Sequence, residues 1–161
     1  MKNLLERKNV VIVKKYLQKI YPKIKLIELN RSARTAQGAA NSLQKEVGAI
    51  VKSLLFKTEE NEFYLCLVSG DKYISEKKLA FITQKTIMKA NADIVKQQTG
   101  FSIGCVAPVA HLYPPTRVFI DINLKRFEMV YAAAGHTHIV FGITFSNLCF
   151  ITKGEVQKIV E

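Results

Sequence analysis

The segment from Ile50 to Phe56 narrows the choice of fold more than any other part of the sequence. In an extended chain its side chains alternate between two faces, and both faces are almost entirely apolar. Such a strand is stable where both faces are covered, so the segment predicts a central strand with packing on either side. Lys52 is the exception, because it shares a face with Leu54 and Phe56.

Lys52 brings a positive charge into this apolar strand. Burying an ammonium group is costly unless it meets an opposite charge, a ligand or water. The lysine therefore predicts a ligand pocket beside the strand, or a purely structural arrangement. In the structural case, its long side chain reaches solvent at the end of the sheet or pairs with a carboxylate of the core. The residues alone leave both possibilities open.

A second feature is the loop from Gly100 to His111, where Gly104 follows Gly100 by four residues and Pro108 follows Gly104 by four. Glycine tolerates backbone angles that other residues avoid and proline fixes one angle, so this spacing predicts a tight, rigid turn. Its backbone N–H groups could bind a carbonyl oxygen or a phosphate. The spacing matches no nucleotide-binding fingerprint, and a structural turn is the alternative.

Helical and extended patterns alternate along the rest of the chain. Apolar spacing and capping residues predict helices over 4–20, from Thr35 to a stop at Gly48, from Ser75 to Phe81, from Asn91 to a stop at Gly100, and from Thr144 onward. Apolar or alternating runs predict strands at 25–29, 63–68, 86–90, 117–121, 128–133 and 139–143, with a turn at Gly135-His136. In the first helix, the predicted buried face consists of Leu5, Ile12, Tyr16 and Ile20.

This order of elements predicts an α+β fold with a mixed, largely antiparallel sheet and surrounding helices. The 161 residues, 48% of them hydrophobic, suit one domain with its own core. We therefore predict a single domain over residues 1–161. Within it, residues 1–34 form a basic helix and a strand packed on it.

Positive charge is concentrated near the beginning of the chain. Residues 1–57 contain 13 Lys and Arg against three Glu, whereas residues 58–161 contain 11 against 10 acidic residues. A solvated lysine face is one explanation; the other is a polyanionic partner, with nucleic acid favoured over membrane. No apolar run approaches the ~18 residues of a membrane span, so we predict a cytoplasmic protein without a membrane partner.

The cysteines are candidate reactive groups. Cys66, Cys105 and Cys149 lie far apart without a Cys-x-x-Cys pair, which predicts free thiols. Cys105 lies in the loop and could act as a nucleophile. No histidine stands in a recognisable cysteine-hydrolase context, however, so a packed thiol is the preferred interpretation.

The histidines and Asp121 are the remaining candidate functional residues. His136 and His138 share a strand face but lack a third ligand, so neither a metal site nor a cofactor is predicted. His111 is the histidine best placed to contact the loop, and a structural hydrogen bond is its default role. Asp121 ends an apolar strand and is predicted to cap the turn at Asn123.

Several short motifs, taken in order, resemble one protein family. They are Thr35-Ala36 with the alanine-rich helix, Ile50-Val51-Lys52-Ser53-Leu54, Val68-Ser69-Gly70-Asp71, Gly100-Phe101 with Gly104, Val106, Pro108 and His111, Phe119-Ile120-Asp121, and Ala134-Gly135. The family is that of YbaK and the prolyl-tRNA-synthetase-associated domains, the trans-editing aminoacyl-tRNA deacylases. The resemblance extends from Thr35 to Leu148 and implies a YbaK-like domain with a partly barrel-like sheet.

The resemblance implies hydrolysis of the ester that joins a wrong amino acid to the terminal ribose of tRNA, with alanine or cysteine on proline tRNA as candidate substrates. It assigns catalysis to Lys52, Gly104, Cys105, Val106, Ala107 and Pro108, and substrate binding to Ser53, Ser69, Gly70, His111 and Gly135. The loop amides would face the aminoacyl carbonyl, and water, the ribose hydroxyl or a substrate thiol would attack it. A charged Lys52 would position the substrate and a neutral one would act as a base; we favour the charged role.

The implied partner is mischarged tRNA, with an aminoacyl-tRNA synthetase as a second candidate. The basic first third of the chain would then bind the acceptor backbone, through Lys14, Lys15, Arg31 and Arg34. Many relatives carry glycine where Cys105 and Ala110 stand, and alanine-specific members commonly carry asparagine where Ser53 stands. The first two departures narrow the freedom of the loop, and Ser53 favours a cysteine-type or broader specificity.

Two other functions remain compatible with the sequence. A non-catalytic module could use the same pocket to bind aminoacyl-tRNA or to associate with a synthetase. A basic RNA- or DNA-binding protein would explain the charge but leave Lys52 without a role. The presence of both Lys52 and the loop favours the enzyme.

Overall fold

The computed structural model describes residues 3–32 and 34–161. The helices are α1 (Lys8–Ile20), α2 (Ala36–Leu43), α3 (Glu76–Thr83), α4 (Ala92–Thr99) and α5 (Phe145–Thr152). The strands are β1 (Leu26–Glu28), β2 (Val51–Thr58), β3 (Phe63–Ser69), β4 (Ile87–Lys89), β5 (Arg117–Asp121), β6 (Met129–His136), β7 (Ile139–Thr144) and β8 (Glu155–Gln157). No helix in these ranges is long and apolar enough to cross a membrane.

The strands form two sheets. One has five strands in the order β4-β2-β3-β5-β8, and the other has three in the order β1-β7-β6. β5 is parallel to β3 and to β8, whereas the other pairs are antiparallel. The sheets meet at a bridge between Ile50 and Tyr131, and the described strands do not close into a barrel. The prediction of an α+β fold with a mixed, largely antiparallel sheet is confirmed.

β2 is buried on both faces, as its apolar pattern predicted. Val51 and Leu55 point into the main core between the two sheets, together with residues of α1 and α5. Phe56 points to the opposite face, where it packs in a second core with Leu79 of α3. The 100–111 loop contributes Val106 to the main core. Because β2 borders both cores and the loop, it is the element around which a site can form.

α1 buries a different face from the predicted one. Val10, Val13 and Leu17 are fully buried, whereas Ile12 is 41% exposed and Tyr16 38% exposed. The helix also starts only at Lys8, after a separate short turn. Packing of α1 against β6 decides which face of the helix is buried. The helix carries two apolar stripes with the same periodicity, so periodicity alone could not choose between them.

Gly135 sets how closely α1 approaches β6. Its φ is +88°, and a Cβ there would lie 2.9 Å from the Asn9 backbone. β6 is irregular between Ala133 and His136, so the strand continues through the predicted turn at Gly135-His136. The turn instead lies at Thr137 and His138, because a glycine inside a strand allowed an irregularity next to the helix.

Two further expectations were wrong. α2 ends at Leu43, where Gln44 adopts the left-handed conformation that closes a helix, and Gly48 lies in a separate short turn. β8 was not predicted, since its three residues are ordered mainly by their pairing with β5. By contrast, three predicted N-caps are confirmed, because each accepts a backbone N–H from its first turn: Thr35, Ser75 and Asn91. The helix expected near Thr144 is also present, and Thr144 caps it in the same way.

Candidate functional site

A cavity of about 280 Å³ lies between β2, α2, the 100–111 loop and β6. Most of its lining is apolar, including Ala39, Leu55, Val95, Val106 and Val140. Three cationic residues also line it, Arg34, Lys52 and Lys89, and the described lining includes no carboxylate. A small apolar cavity with converging positive charges suits a small ligand attached to an anionic group.

Lys52 is half-buried at this cavity. Its Nζ donates a hydrogen bond to the Lys72 carbonyl oxygen and lies 4.8 Å from the centre of the Tyr73 ring. Burial lowers the pKa of Lys52, Asp71 raises it, and Lys89 lowers it again. The ammonium is thus oriented by a carbonyl and an aromatic face instead of being neutralised by a direct ion pair.

Asp71 lies in the turn that follows β3, just before Lys72 and Tyr73, and a network of hydrogen bonds holds its carboxylate. Arg126 donates to both Asp71 oxygens, at 2.8 and 3.1 Å, and the hydrogen bonding lowers the pKa of the carboxyl to about 2. Arg126 also donates to the Ser69 hydroxyl at 2.9 Å, and that hydroxyl donates to the Gly48 carbonyl. Ser69 is fully buried there, and neither it nor Gly70, whose N–H donates to Ile50, lines the cavity. Both residues therefore support the turn that carries Tyr73.

Ser53 lines the cavity next to Lys52 on β2. The Ile50 carbonyl accepts from Gly70, so in this antiparallel ladder the backbone groups of alternate residues, including Ser53, point away from β3. On that side β4 begins to pair with β2 only at Phe56. Within the described residues, the buried Ser53 hydroxyl also has no hydrogen-bond partner. The edge of β2 thus offers polar groups to a ligand.

The loop approaches the cavity at Gly104. Its φ is +91°, a conformation that favours glycine, and a Cβ there would lie 3.2 Å from Arg34 Cγ. The Cys105 N–H donates to the Ser102 carbonyl at 3.1 Å, whereas no acceptor among the described residues takes the N–H of Gly104 or Val106. Both residues line the cavity, which makes their amides candidate donors to an oxygen atom that enters it.

Cys105 is turned into the protein. Its side chain is 7% exposed, its Sγ donates to the Ser102 carbonyl at 3.2 Å, and burial raises the pKa of the thiol. Neither Cys105 nor the buried pair Ala107 and Pro108 lines the cavity. These three loop residues hold the loop in shape instead of facing a ligand.

Cys105→Ala is expected to leave deacylation within about twofold of wild type, because a protonated thiol is a poor nucleophile. The loss of one small buried group should cost about 1 kcal/mol of stability. Initial rates with mischarged tRNA and a urea denaturation curve measure the two effects. A variant that folds normally but has no activity would make Cys105 the nucleophile.

His111 lies behind the loop. Its Nε2 is 2.6 Å from the Ala107 carbonyl oxygen, which can only accept, so Nε2 carries the proton and Nδ1 does not. Burial lowers the pKa of His111, and Nδ1 has no partner within the described chain. His111 does not line the cavity, and its hydrogen bond makes it a support for Ala107.

The remaining predicted residues are dispersed. Lys14 and Lys15 lie on α1, and Arg31 is exposed in the segment after β1. Gly135 packs under α1, away from the cavity. The rings of His136 and His138 lie 5.6 Å apart, and no group of three potential metal ligands occurs in the described residues.

Several cavity residues were missed by sequence reasoning. Arg34, predicted only to contact tRNA, lies beside Gly104 in the lining. Lys89 and Ile103 also line the cavity, and Tyr73 is 73% exposed beside Lys52. The alternating pattern of the short strand at 86–90 is a sequence signal that could have indicated Lys89 as a lining residue. No local signal distinguishes Tyr73 from other exposed aromatic residues.

Comparison with known proteins identifies the class of protein that this fold and site define. The sequence profile of the aminoacyl-tRNA editing domain matches residues 30–148. The uncharacterised protein YwhH of Bacillus subtilis (strain 168) is 31% identical over 75% of this chain and 76% of its own length. A crystal structure described as a candidate trans-editing enzyme for prolyl-tRNA synthetase has a TM-score of 0.90 and 33% identity, covering 96% of this chain and 98% of that one.

The chain therefore belongs to the aminoacyl-tRNA editing domain family. The resemblance to YbaK and the prolyl-tRNA-synthetase-associated domains is confirmed. The proline–tRNA ligase of Brachyspira hyodysenteriae is also similar, at 36% identity over 76 residues, which are 47% of this chain and 13% of that ligase.

Proposed function

We propose that this protein is an aminoacyl-tRNA deacylase that acts in trans on mischarged tRNA. One observation carries the proposal: Lys52, Ser53, Gly104 and Val106 all line one small cavity, although the strand and the loop are far apart in sequence. Membership of the editing family supplies the substrate class, an aminoacyl ester of tRNA.

The size of the cavity supports a substrate with a small amino acid. At about 280 Å³ the cavity lies at the small end of the range of ligand pockets, which suits the aminoacyl end of the substrate. The nucleotide would then remain outside, near Arg34 and Lys89.

The proposed reaction is addition to the ester carbonyl followed by loss of the ribose oxygen. A water molecule attacks the carbonyl carbon, and the carbonyl oxygen becomes an oxyanion. The N–H groups of Gly104 and Val106 stabilise this charge, and Lys52 positions the ester through its positive charge. The bond between the carbonyl carbon and the ribose oxygen then breaks, and that oxygen takes a proton from the nucleophile.

Proline tRNA is the proposed carrier. The structurally similar protein is described as a candidate trans-editing enzyme for prolyl-tRNA synthetase, and several similar sequences are proline–tRNA ligases. Alanine and cysteine, each charged on proline tRNA, are therefore the proposed substrates. The Ser53 hydroxyl, which has no partner within the described part of the chain, could receive a hydrogen bond from the substrate ammonium.

The test is a panel of charged tRNAs, each incubated with the protein with and without a metal chelator. We expect hydrolysis of alanyl- or cysteinyl-tRNA for proline, and slower hydrolysis of prolyl-tRNA for proline and of seryl-tRNA for threonine. A reaction without protein supplies the background rate at each condition. Binding of these tRNAs without hydrolysis of any of them would replace the enzyme with a non-catalytic module.

A further inference from the structure

A second concave surface lies on the other side of the 100–111 loop. This surface, called here the basic groove, has a volume of about 860 Å³ and runs between the start of α1 and the end of α4. Its cationic lining residues are Arg7, Lys8 and Lys96, and no carboxylate occurs among the lining residues that the structure describes. Positive charge without a neutralising partner favours an anionic ligand.

Two hydrogen bonds to the Gly100 carbonyl oxygen fix the positions of α1 and α4, the helices that form walls of the groove. Asn9 of α1 donates to this oxygen at 3.3 Å, and Lys96 of α4 donates to it at 3.1 Å. Arg7 and Lys8 stand at the first turn of α1, where no side chain caps the helix. The free N–H groups of that turn add to the positive potential of the groove.

The histidines of the groove contribute little charge near neutral pH. Burial lowers the pKa of His111, and burial, His138 and Arg7 lower that of His136. Glu28 raises the pKa of His136 and is not among the lining residues of the groove. The groove therefore owes its charge to the guanidinium group of Arg7 and the ammonium groups of Lys8 and Lys96.

The basic groove and the cavity share two walls. Within the loop, Ile103, Gly104 and Val106 line the cavity, whereas Gly100, Phe101 and Ala110 line the groove. On β6, Ala133 lines the cavity and Gly135 lines the groove. Residues two positions apart on a strand are separated by about 7 Å, so an extended anion that reaches the cavity can pass close to the groove.

We propose that the basic groove binds the phosphate backbone of the acceptor end of the tRNA whose aminoacyl ester enters the cavity. This inference rests on the proposed function for the identity of the RNA. Lysine and arginine contacts to phosphates supply affinity without sequence information, so the groove would position any tRNA acceptor end. Under this proposal the RNA contacts are Arg7, Lys8 and Lys96 instead of the predicted Lys14 and Lys15.

The experiment measures binding of an uncharged acceptor-stem hairpin that ends in CCA. The triple variant Arg7→Gln, Lys8→Gln, Lys96→Gln is compared with a control of equal charge change on other surfaces, Lys77→Gln, Lys153→Gln, Lys158→Gln. We expect the groove variant to bind about tenfold or more weakly, and the slope of log K against log salt to fall by about 2 to 3. Thermal unfolding establishes that both variants are folded.

A charge-preserving variant, Arg7→Lys, Lys8→Arg, Lys96→Arg, should retain most of the affinity. Unchanged binding by the groove variant, or an equal loss in the control, would overturn the inference. The proposed function is tested separately by wild-type hydrolysis of an alanyl ester of the CCA trinucleotide. Failure of that reaction with a groove-dependent loss of hairpin binding would leave the groove standing without the enzyme.

Discussion

Lys52→Met is expected to lower kcat for deacylation by about 100-fold or more, because it removes a positive charge from a partly desolvated site without changing the side chain's length greatly. Lys52 lines the cavity, and its ammonium group is oriented by the Lys72 carbonyl and the Tyr73 ring. The loss should appear on the short alanyl-CCA ester as well as on full tRNA. Hairpin binding should change much less, since the basic groove lies elsewhere.

The arginine variant separates the two possible roles of this residue. Lys52→Arg keeps a permanent positive charge, so the positioning role predicts partial activity, about tenfold below wild type. A general base must lose its proton, and arginine does not do so in this range, so the base role predicts no activity.

The pH profile provides an independent readout. Burial lowers the pKa of Lys52 in the folded protein. If the charged form positions the ester, activity is present below that pKa and is lost as the pH rises through it. Rates must be corrected for spontaneous ester hydrolysis, which a reaction without protein measures at each pH. A hydrolysis rate that falls at alkaline pH in wild type but not in Lys52→Arg supports the positioning role. A rate that rises as the pH passes through the pKa of Lys52 supports the base role.

Gly104→Ala is expected to lower kcat by about 100-fold, the typical effect of losing one oxyanion donor. With φ at +91°, alanine strains the backbone by about 1–2 kcal/mol. Its Cβ would also lie 3.2 Å from Arg34 Cγ, so that the loop or Arg34 must move. Either movement displaces the amides of Gly104 and Val106 from the cavity. The measurement is single-turnover hydrolysis of alanyl-tRNA for proline.

Ser102→Ala is the matched control for this loop. Ser102 is exposed and outside the cavity lining, and only its backbone carbonyl bonds to Cys105. It should therefore hydrolyse the substrate at close to the wild-type rate. Normal kcat in Gly104→Ala, with the expected loss of stability in urea, would mean that the loop amides do not stabilise the oxyanion.

Much of the local structure is predictable from the sequence because local interactions determine it. Thr35, Ser75, Asn91 and Thr144 cap helices through hydrogen bonds to residues three positions further along. The two apolar faces of β2 follow from a period of two. The motif order also identified the family, since Lys52 and the Gly104 loop are recognisable without coordinates.

The site itself depends on contacts between distant segments. Arg34 was predicted with the tRNA-binding residues, yet it contacts Gly104 at the cavity. Ser69 and His111 were predicted to bind substrate, yet hydrogen bonds to Gly48 and Ala107 draw them into supporting positions. Sequence spacing cannot reveal such partners, because they come from other elements of the fold.

By itself, the sequence determined the helix caps, the central strand, the family, and the presence of both a lysine in that strand and a glycine-containing loop. Each of these depends on neighbouring residues or on a short ordered motif. Only the tertiary structure decided which face of α1 is buried, where Arg34 lies, and that the loop separates a small cavity from a basic groove. Packing and hydrogen bonding between remote segments decide these features, and a one-dimensional pattern carries no record of which segments meet.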